Sequence, residues 1–64
     1  MLSELELAEI IRNEGCVRVD ARHLTQTFVR GVEIDPEKVW IQAQVFARAN
    51  RFILFHHRSN LHIM

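Results

Sequence analysis

Residues 10–24 read IIRNEGCVRVDARHL, and within them the apolar spacing changes from that of a helix to that of a strand and back. Gly15 suits the left-handed position that ends a helix. The letters CVRV after it alternate with period two, which predicts a short edge or connector strand with Arg18 on the opposite face from the valines. Asp20 is a good N-cap for a second helix. This stretch therefore predicts a helix, a short strand and a helix in that order.

The two helices on either side of the strand have further signals. Ser3 and Glu6 have the spacing of a capping box, which predicts that the first helix begins there. The second helix repeats apolar residues at helical spacing and is short, because Gly31 can end it. The apolar residues of the two helices are Leu5, Leu7, Ala8, Ile10 and Ile11 in the first, and Ala21, Leu24 and Phe28 in the second.

A third helix and a hairpin follow. Asp35-Pro36-Glu37 is a strong helix start, because aspartate caps and proline fits the first helical position. We expect this helix to run to about Asn50, and we expect strands at 52–57 and 61–64 around a tight turn, Arg58-Ser59-Asn60. The sequence thus predicts one α+β domain over residues 1–64, in the order helix-strand-helix-helix-strand-strand.

This order resembles that of the winged helix-turn-helix fold group. The resemblance is carried by IIRNEG (10–15) followed by VRVDARHL (17–24), and it covers nearly the whole chain. The link from Val29 to Ile34 departs from it, being longer and more apolar than the usual turn. The resemblance implies that the third helix is the recognition helix, that the hairpin turn is the wing tip and that the partner is duplex DNA. Many relatives bind protein instead.

Length and composition exclude several classes of protein. The chain has 64 residues, of which 48% are apolar and 25% charged, which is typical of a folded chain. A core this small stabilises a monomer weakly, so we expect a homodimer. Glu4 and Glu6 stand where a secretory signal would have lysines, and no apolar run is long enough for a membrane helix. We therefore expect a cytoplasmic protein without a membrane span.

The charges are distributed unevenly. All eight acidic residues precede residue 38, whereas the segment from Lys38 to Met64 contains cations and histidines but no carboxylate. Its cations are Lys38, Arg48, Arg51 and Arg58. Charge asymmetry of this kind indicates a polyanionic partner, although the net charge of the chain is zero.

One side of the third helix has the chemistry to contact DNA. Val39, Trp40, Ala43, Phe46 and Ala47 share the side that would face the core. On the other side, Gln44 and Arg48 could read adenine and guanine edges. Lys38, Arg51 and Arg58 would more naturally hold phosphates. The alternative is an ordinary solvated face of an amphipathic helix.

Ile41 and Val45 lie within this polar arc, one turn apart. Either the hairpin folds over them, which we favour slightly, or a protein partner covers them. The second possibility predicts a non-enzymatic adaptor or inhibitor, such as a phage-type protein or accessory subunit, that binds an acidic surface of another protein. A hairpin strand that is apolar on both faces could itself be an interface, its edge pairing with a second copy.

No catalytic or metal site is predicted. His56 or His57 could lie across the hairpin from His62, but two or three histidines without a further ligand make an incomplete zinc site. The sequence around Cys16 predicts that it is a small buried apolar residue. Asp20 and His23 are three residues apart at a helix start, which could suggest an acid–base couple, but the N-cap explains Asp20 without chemistry. We therefore expect no enzyme, no metal and no cofactor, and a transcription regulator that reads duplex DNA as the leading hypothesis.

Overall fold

The predicted order of elements is confirmed. The computed structural model describes residues 2–28 and 36–64, apart from the side chain of Pro36. Within these residues it is a small α+β structure of helices and an antiparallel sheet. Its elements are α1 (Glu4–Glu14), β1 (Val17–Asp20), a 3-10 turn (Ala21–Leu24) that continues into α2 (Thr25–Phe28), α3 (Pro36–Asn50), β2 (Leu54–His57) and β3 (Asn60–Ile63).

Both ends of α1 are where the sequence predicts them. The Ser3 hydroxyl accepts the Glu6 N–H at 3.2 Å and donates to the Glu6 carboxylate at 3.1 Å, so the two side chains bond directly at the helix start. At the other end, Gly15 has φ 89° and its N–H donates to the Ile11 carbonyl at 2.8 Å. A left-handed residue satisfies a carbonyl that the helix leaves open.

Two apolar residues predicted to be buried are exposed. Leu5 is 81% exposed, because at about 100° per residue it lies on the side of α1 opposite Leu7. The buried residues of the helix are Leu7, Ala8 and Ile11. Cys16 is also exposed, since it lies between the helix end and the first paired residue of β1.

The second helix is less regular than predicted. The Ala21 N–H donates to the Ser59 carbonyl at 2.6 Å, and the Thr25 hydroxyl donates to the Arg22 carbonyl at 3.2 Å, which occupies an acceptor of the first turn. The chain forms a 3-10 turn and then one α turn. The predicted end at Gly31, the link from Val29 to Ile34 and the cap at Asp35 lie outside the described residues.

The third helix ends at Asn50, as predicted. Arg51 is left-handed with φ 61°, its N–H donates to the Arg48 carbonyl at 3.2 Å, and the Phe52 N–H donates to the Ala47 carbonyl at 2.8 Å. This pair of bonds is the Schellman ending of a helix, in which glycine is the usual left-handed residue. The bond from Phe52 also explains why β2 begins at Leu54, two residues later than predicted.

The sheet has the order β1-β3-β2, with both neighbours of β3 antiparallel to it. β1 is therefore an edge strand, as predicted, and β2 is the other edge. The hairpin turn consists of Arg58 and Ser59, and β3 begins one residue earlier than expected, at Asn60. Arg58 has φ 56°, a left-handed value that such turns usually assign to glycine.

The core lies between the helices and one face of the sheet. Leu61 and Ile63 of the central strand are almost fully buried, and they belong to one cluster with residues of all three helices. The helical members of this cluster are Leu7, Ala8, Ile11, Ala21, Leu24, Phe28, Val39, Ala43 and Phe46. Among the described residues, no helix combines the length and apolar character needed to cross a membrane.

Candidate nucleic-acid interface on the third helix and the hairpin

The side of α3 that faces the core is the side that the sequence predicts. Val39, Ala43, Phe46 and Ala47 are buried. Trp40 is half-buried at the border, where its ring contacts the His56 ring of β2 with centroids 5.2 Å apart. These contacts fix which arc of the helix faces outward.

The cations predicted to contact DNA are exposed. Lys38 and Arg48 lie on α3, Arg51 follows its last residue and Arg58 lies in the hairpin turn. Within residues 2–28 and 36–64, the structure shows an ion pair between Arg22 and Asp20. We call Lys38, Arg48, Arg51 and Arg58 the α3–hairpin cations.

A cleft of about 390 Å³ separates α3 from β2. Trp40, Gln44 and Arg48 form its helix side, and Leu54 and His56 form its strand side. Gln44 is half-buried there, so its amide lies between the helix and the hairpin and not on the outermost line of the helix. A second hollow of about 340 Å³, beside Trp40 and His56, extends to Arg58 in the turn.

Two of the α3–hairpin cations have an unfavourable backbone conformation. Arg51 and Arg58 are the residues other than glycine with positive φ in the described chain, at 61° and 56°. A side chain in this conformation costs roughly 1–2 kcal/mol relative to ordinary helical geometry, a cost that glycine avoids. Strain at an observed outlier points to a function of the residue that bears it.

Ile41 and Val45 are not covered by the hairpin, so the prediction that it folds over them is wrong. They are 49% and 57% exposed. The hairpin contacts α3 on the side of Trp40, and both residues lie further round the helix, on the arc that also includes Lys38. The outer arc of α3 therefore carries both cationic and apolar side chains.

The histidines do not lie opposite one another. His62 pairs with Phe55, their ring centroids being 6.0 Å apart, while His56 pairs with Leu61 and His57 with Asn60. Since paired residues share a face, His56 lies on the inner face of the sheet and the other two lie on the outer face. Within the described part of the chain, no group of three or more histidine, cysteine, aspartate or glutamate residues could hold a metal ion.

The carboxylate of Asp20 connects the helix start to the hairpin turn. It accepts the Arg22 backbone N–H at 2.9 Å, two guanidinium donors of Arg22 at 3.1 and 2.9 Å, and the Ser59 hydroxyl at 3.3 Å. The Arg22 guanidinium, followed by the Arg22 N–H and with a smaller contribution from Ser59, holds the pKa of this carboxyl far below its usual range. Asp20 is thus the N-cap that the sequence predicts, and it also bonds the hairpin turn.

The outer face of the sheet has an apolar patch, of which the sequence predicts only a hairpin strand that is apolar on both faces. Ile53, Phe55 and Met64 are 59%, 53% and 41% exposed. Ile53 and Phe55 are two apart in the predicted strand and so share a face, but only the pairing of Ile53 with Met64 brings the third residue beside them.

Comparisons of the chain with family models, with curated proteins and with solved structures find no significant match. Functional inference therefore depends on the arrangement of the residues themselves.

Proposed function

We propose that this protein is a small winged-helix DNA-binding regulator of the cytoplasm, with α3 in the major groove and the hairpin close to the phosphate backbone. The observation that carries the proposal is the exposure of all four α3–hairpin cations, in a segment that has no carboxylate after Glu37. Exposed cations concentrated in one part of a domain are the electrostatic footprint of a nucleic-acid partner.

The topology supports the winged-helix interpretation. A central β3 between β1 and β2 makes the hairpin an extension of the sheet beside the end of α3. The bond from the Ala21 N–H to the Ser59 carbonyl anchors the hairpin turn to the second helix. A wing held in this way keeps a fixed position relative to the helix, which DNA recognition by two elements requires.

The proposed DNA-contacting residues have two roles, base contact and phosphate contact. Arg48 on α3 has the paired guanidinium donors that can grip guanine O6 and N7, and Gln44 can bond adenine from the cleft side of the helix. Lys38, Arg51 and Arg58 hold phosphates, because a phosphate contact needs charge and reach but no particular base.

The test is a mobility shift with duplex DNA at low salt. We expect the wild-type protein to bind, and Arg48→Ala and Arg51→Ala each to weaken binding by several-fold or more. Arg18→Ala is the matched control, because Arg18 is an exposed cation on the outer face of the sheet, away from α3. Absence of binding, or equal binding by all variants, would contradict the proposal.

A second candidate function is favoured by Ile41 and Val45. Two large apolar side chains about half exposed on one helical arc are suited to a protein contact. In this alternative the protein is a non-enzymatic adaptor or inhibitor, and the α3–hairpin cations meet an acidic protein surface.

Ile41→Lys separates the two candidates by the sign of its effect. On a DNA-binding face the added cation raises affinity for duplex DNA, since each phosphate contact adds counterion release. On an apolar protein interface the same change buries a charge and abolishes binding. Duplex affinity that is unchanged or lower in Ile41→Lys would favour the adaptor.

A further inference from the structure

The outer face of the sheet has an exposed apolar patch next to an open strand edge. Ile53, Phe55 and Met64, about half exposed, lie on the face away from the core. β2 is at the edge of the sheet, so its second side has no strand partner among the described residues.

The hydrogen-bonding pattern shows which groups of β2 are open. Ile53 and Met64 exchange both backbone bonds, at 2.8 and 2.9 Å. Because bonded and non-bonded pairs alternate in antiparallel strands, Phe55 and His57 also point their backbone groups at β3. Leu54 and His56 therefore direct their N–H and C=O groups toward the open edge. Both residues also line the cleft between β2 and α3.

We propose that a second copy of this chain pairs with β2 along this edge, antiparallel, with the two-fold axis at Phe55. In this register the backbone of Leu54 in each copy forms hydrogen bonds with the backbone of His56 in the other copy. These bonds use the N–H and C=O groups that both residues direct toward the open edge. The two Phe55 side chains then lie directly opposite on the outer face. Two sheets of three strands become one continuous sheet.

The chemistry of β2 favours a second copy over another partner. Residues 53–57, which pair with one another across the two-fold axis at Phe55, contain no lysine, arginine or carboxylate, so no pair of opposed residues within them carries permanent like charges. The other edge differs, because β1 contains Arg18 and Asp20. In the proposed dimer, Leu54 and His56 of the second copy project toward the cleft beside Trp40 of the first copy. There they cover the apolar side of the first copy's Leu54.

Cysteine crosslinking tests the register in a Cys16→Ser background. At a non-hydrogen-bonded pair the two Cα atoms lie about 4.5 Å apart, which permits a disulfide. We expect Phe55→Cys to give a covalent dimer under mild oxidation. Ile53→Cys is the matched control, since its two copies would be roughly 14 Å apart and should remain uncrosslinked.

The mass in solution, measured without nucleic acid by sedimentation equilibrium, is the second test. We expect the wild type to have the mass of a dimer. Phe55→Lys should have half that mass and an unchanged circular dichroism spectrum. Leu5→Lys, the control at an exposed site, should remain a dimer. A monomeric wild type, a dimer unaffected by Phe55→Lys, or equal crosslinking at residue 53 would overturn the proposal. Because no DNA is present, these outcomes are independent of the proposed DNA binding.

Discussion

At the scale of single residues, Asp20 connects two distant parts of the molecule. Its oxygens bond Arg22 at the start of the second helix and Ser59 in the hairpin turn, residues far apart in sequence. The sequence predicted the cap, because aspartate before a helix start has a local signal. It did not predict the bond to Ser59, which depends on the pairing of β1 with β3.

We expect Asp20→Asn to lower the free energy of unfolding at pH 7. The folded protein depresses the pKa of this carboxyl, so the ionised carboxylate stabilises the fold. Its contribution to the free energy of unfolding is complete above the ordinary carboxyl range, about pH 4, and is lost as the pH falls through that range toward the lowered pKa. Urea unfolding of both proteins at several pH values measures this. The difference should shrink in acid, and a difference independent of pH would contradict the assignment.

At the scale of elements, the helix ends were predictable and the strand starts were not. Ser3, Gly15 and Asn50 mark ends that the caps or the apolar period identify locally. The start of β2 depends instead on Phe52 bonding back to Ala47, a contact of the helix ending. The exposure of Ile41 and Val45 depends on the angle at which the hairpin meets α3, for which the sequence contains no local signal.

The helix ending gives a prediction that separates stability from function. Arg51→Gly should raise the free energy of unfolding by about 1 kcal/mol, because glycine accepts the left-handed conformation without steric cost. The same change should weaken DNA binding, since a phosphate contact is lost. The control is Ala49→Gly, an exposed position inside α3, which should destabilise by about 1 kcal/mol. Destabilisation by Arg51→Gly would argue against strain at this residue.

At the scale of the whole molecule, the small core makes each buried side chain important. Leu61 lies at the centre of the sheet, pairs with Val19 and His56, and is 1% exposed. We expect Leu61→Ala to cost roughly 2–5 kcal/mol. In a chain of 64 residues this can remove most of the stability.

Urea unfolding measures the effect, with Leu5→Ala as the control. Leu5 is 81% exposed, so its truncation should change stability by less than about 0.5 kcal/mol. Similar losses for the two variants would contradict the position of the core.

The candidate site was predictable in its residues but not in its geometry. The absence of carboxylates after Glu37 singled out Lys38, Arg48, Arg51 and Arg58 from the sequence alone. The half-burial of Gln44, the cleft beside Trp40 and the left-handed arginines required the fold, because they result from the packing of α3 against β2.

The most direct test of the account is the salt dependence of binding to duplex DNA. Fluorescence anisotropy should be measured over a salt series for the wild type, for the triple variant Lys38→Ala, Arg51→Ala, Arg58→Ala, and for the control Arg18→Ala. If three phosphate contacts are lost, the slope of log affinity against log salt should fall in magnitude by roughly 2.7, at about 0.9 per contact, while the control retains the wild-type slope. Equal slopes for all three proteins, or no binding at low salt, would contradict the proposed function.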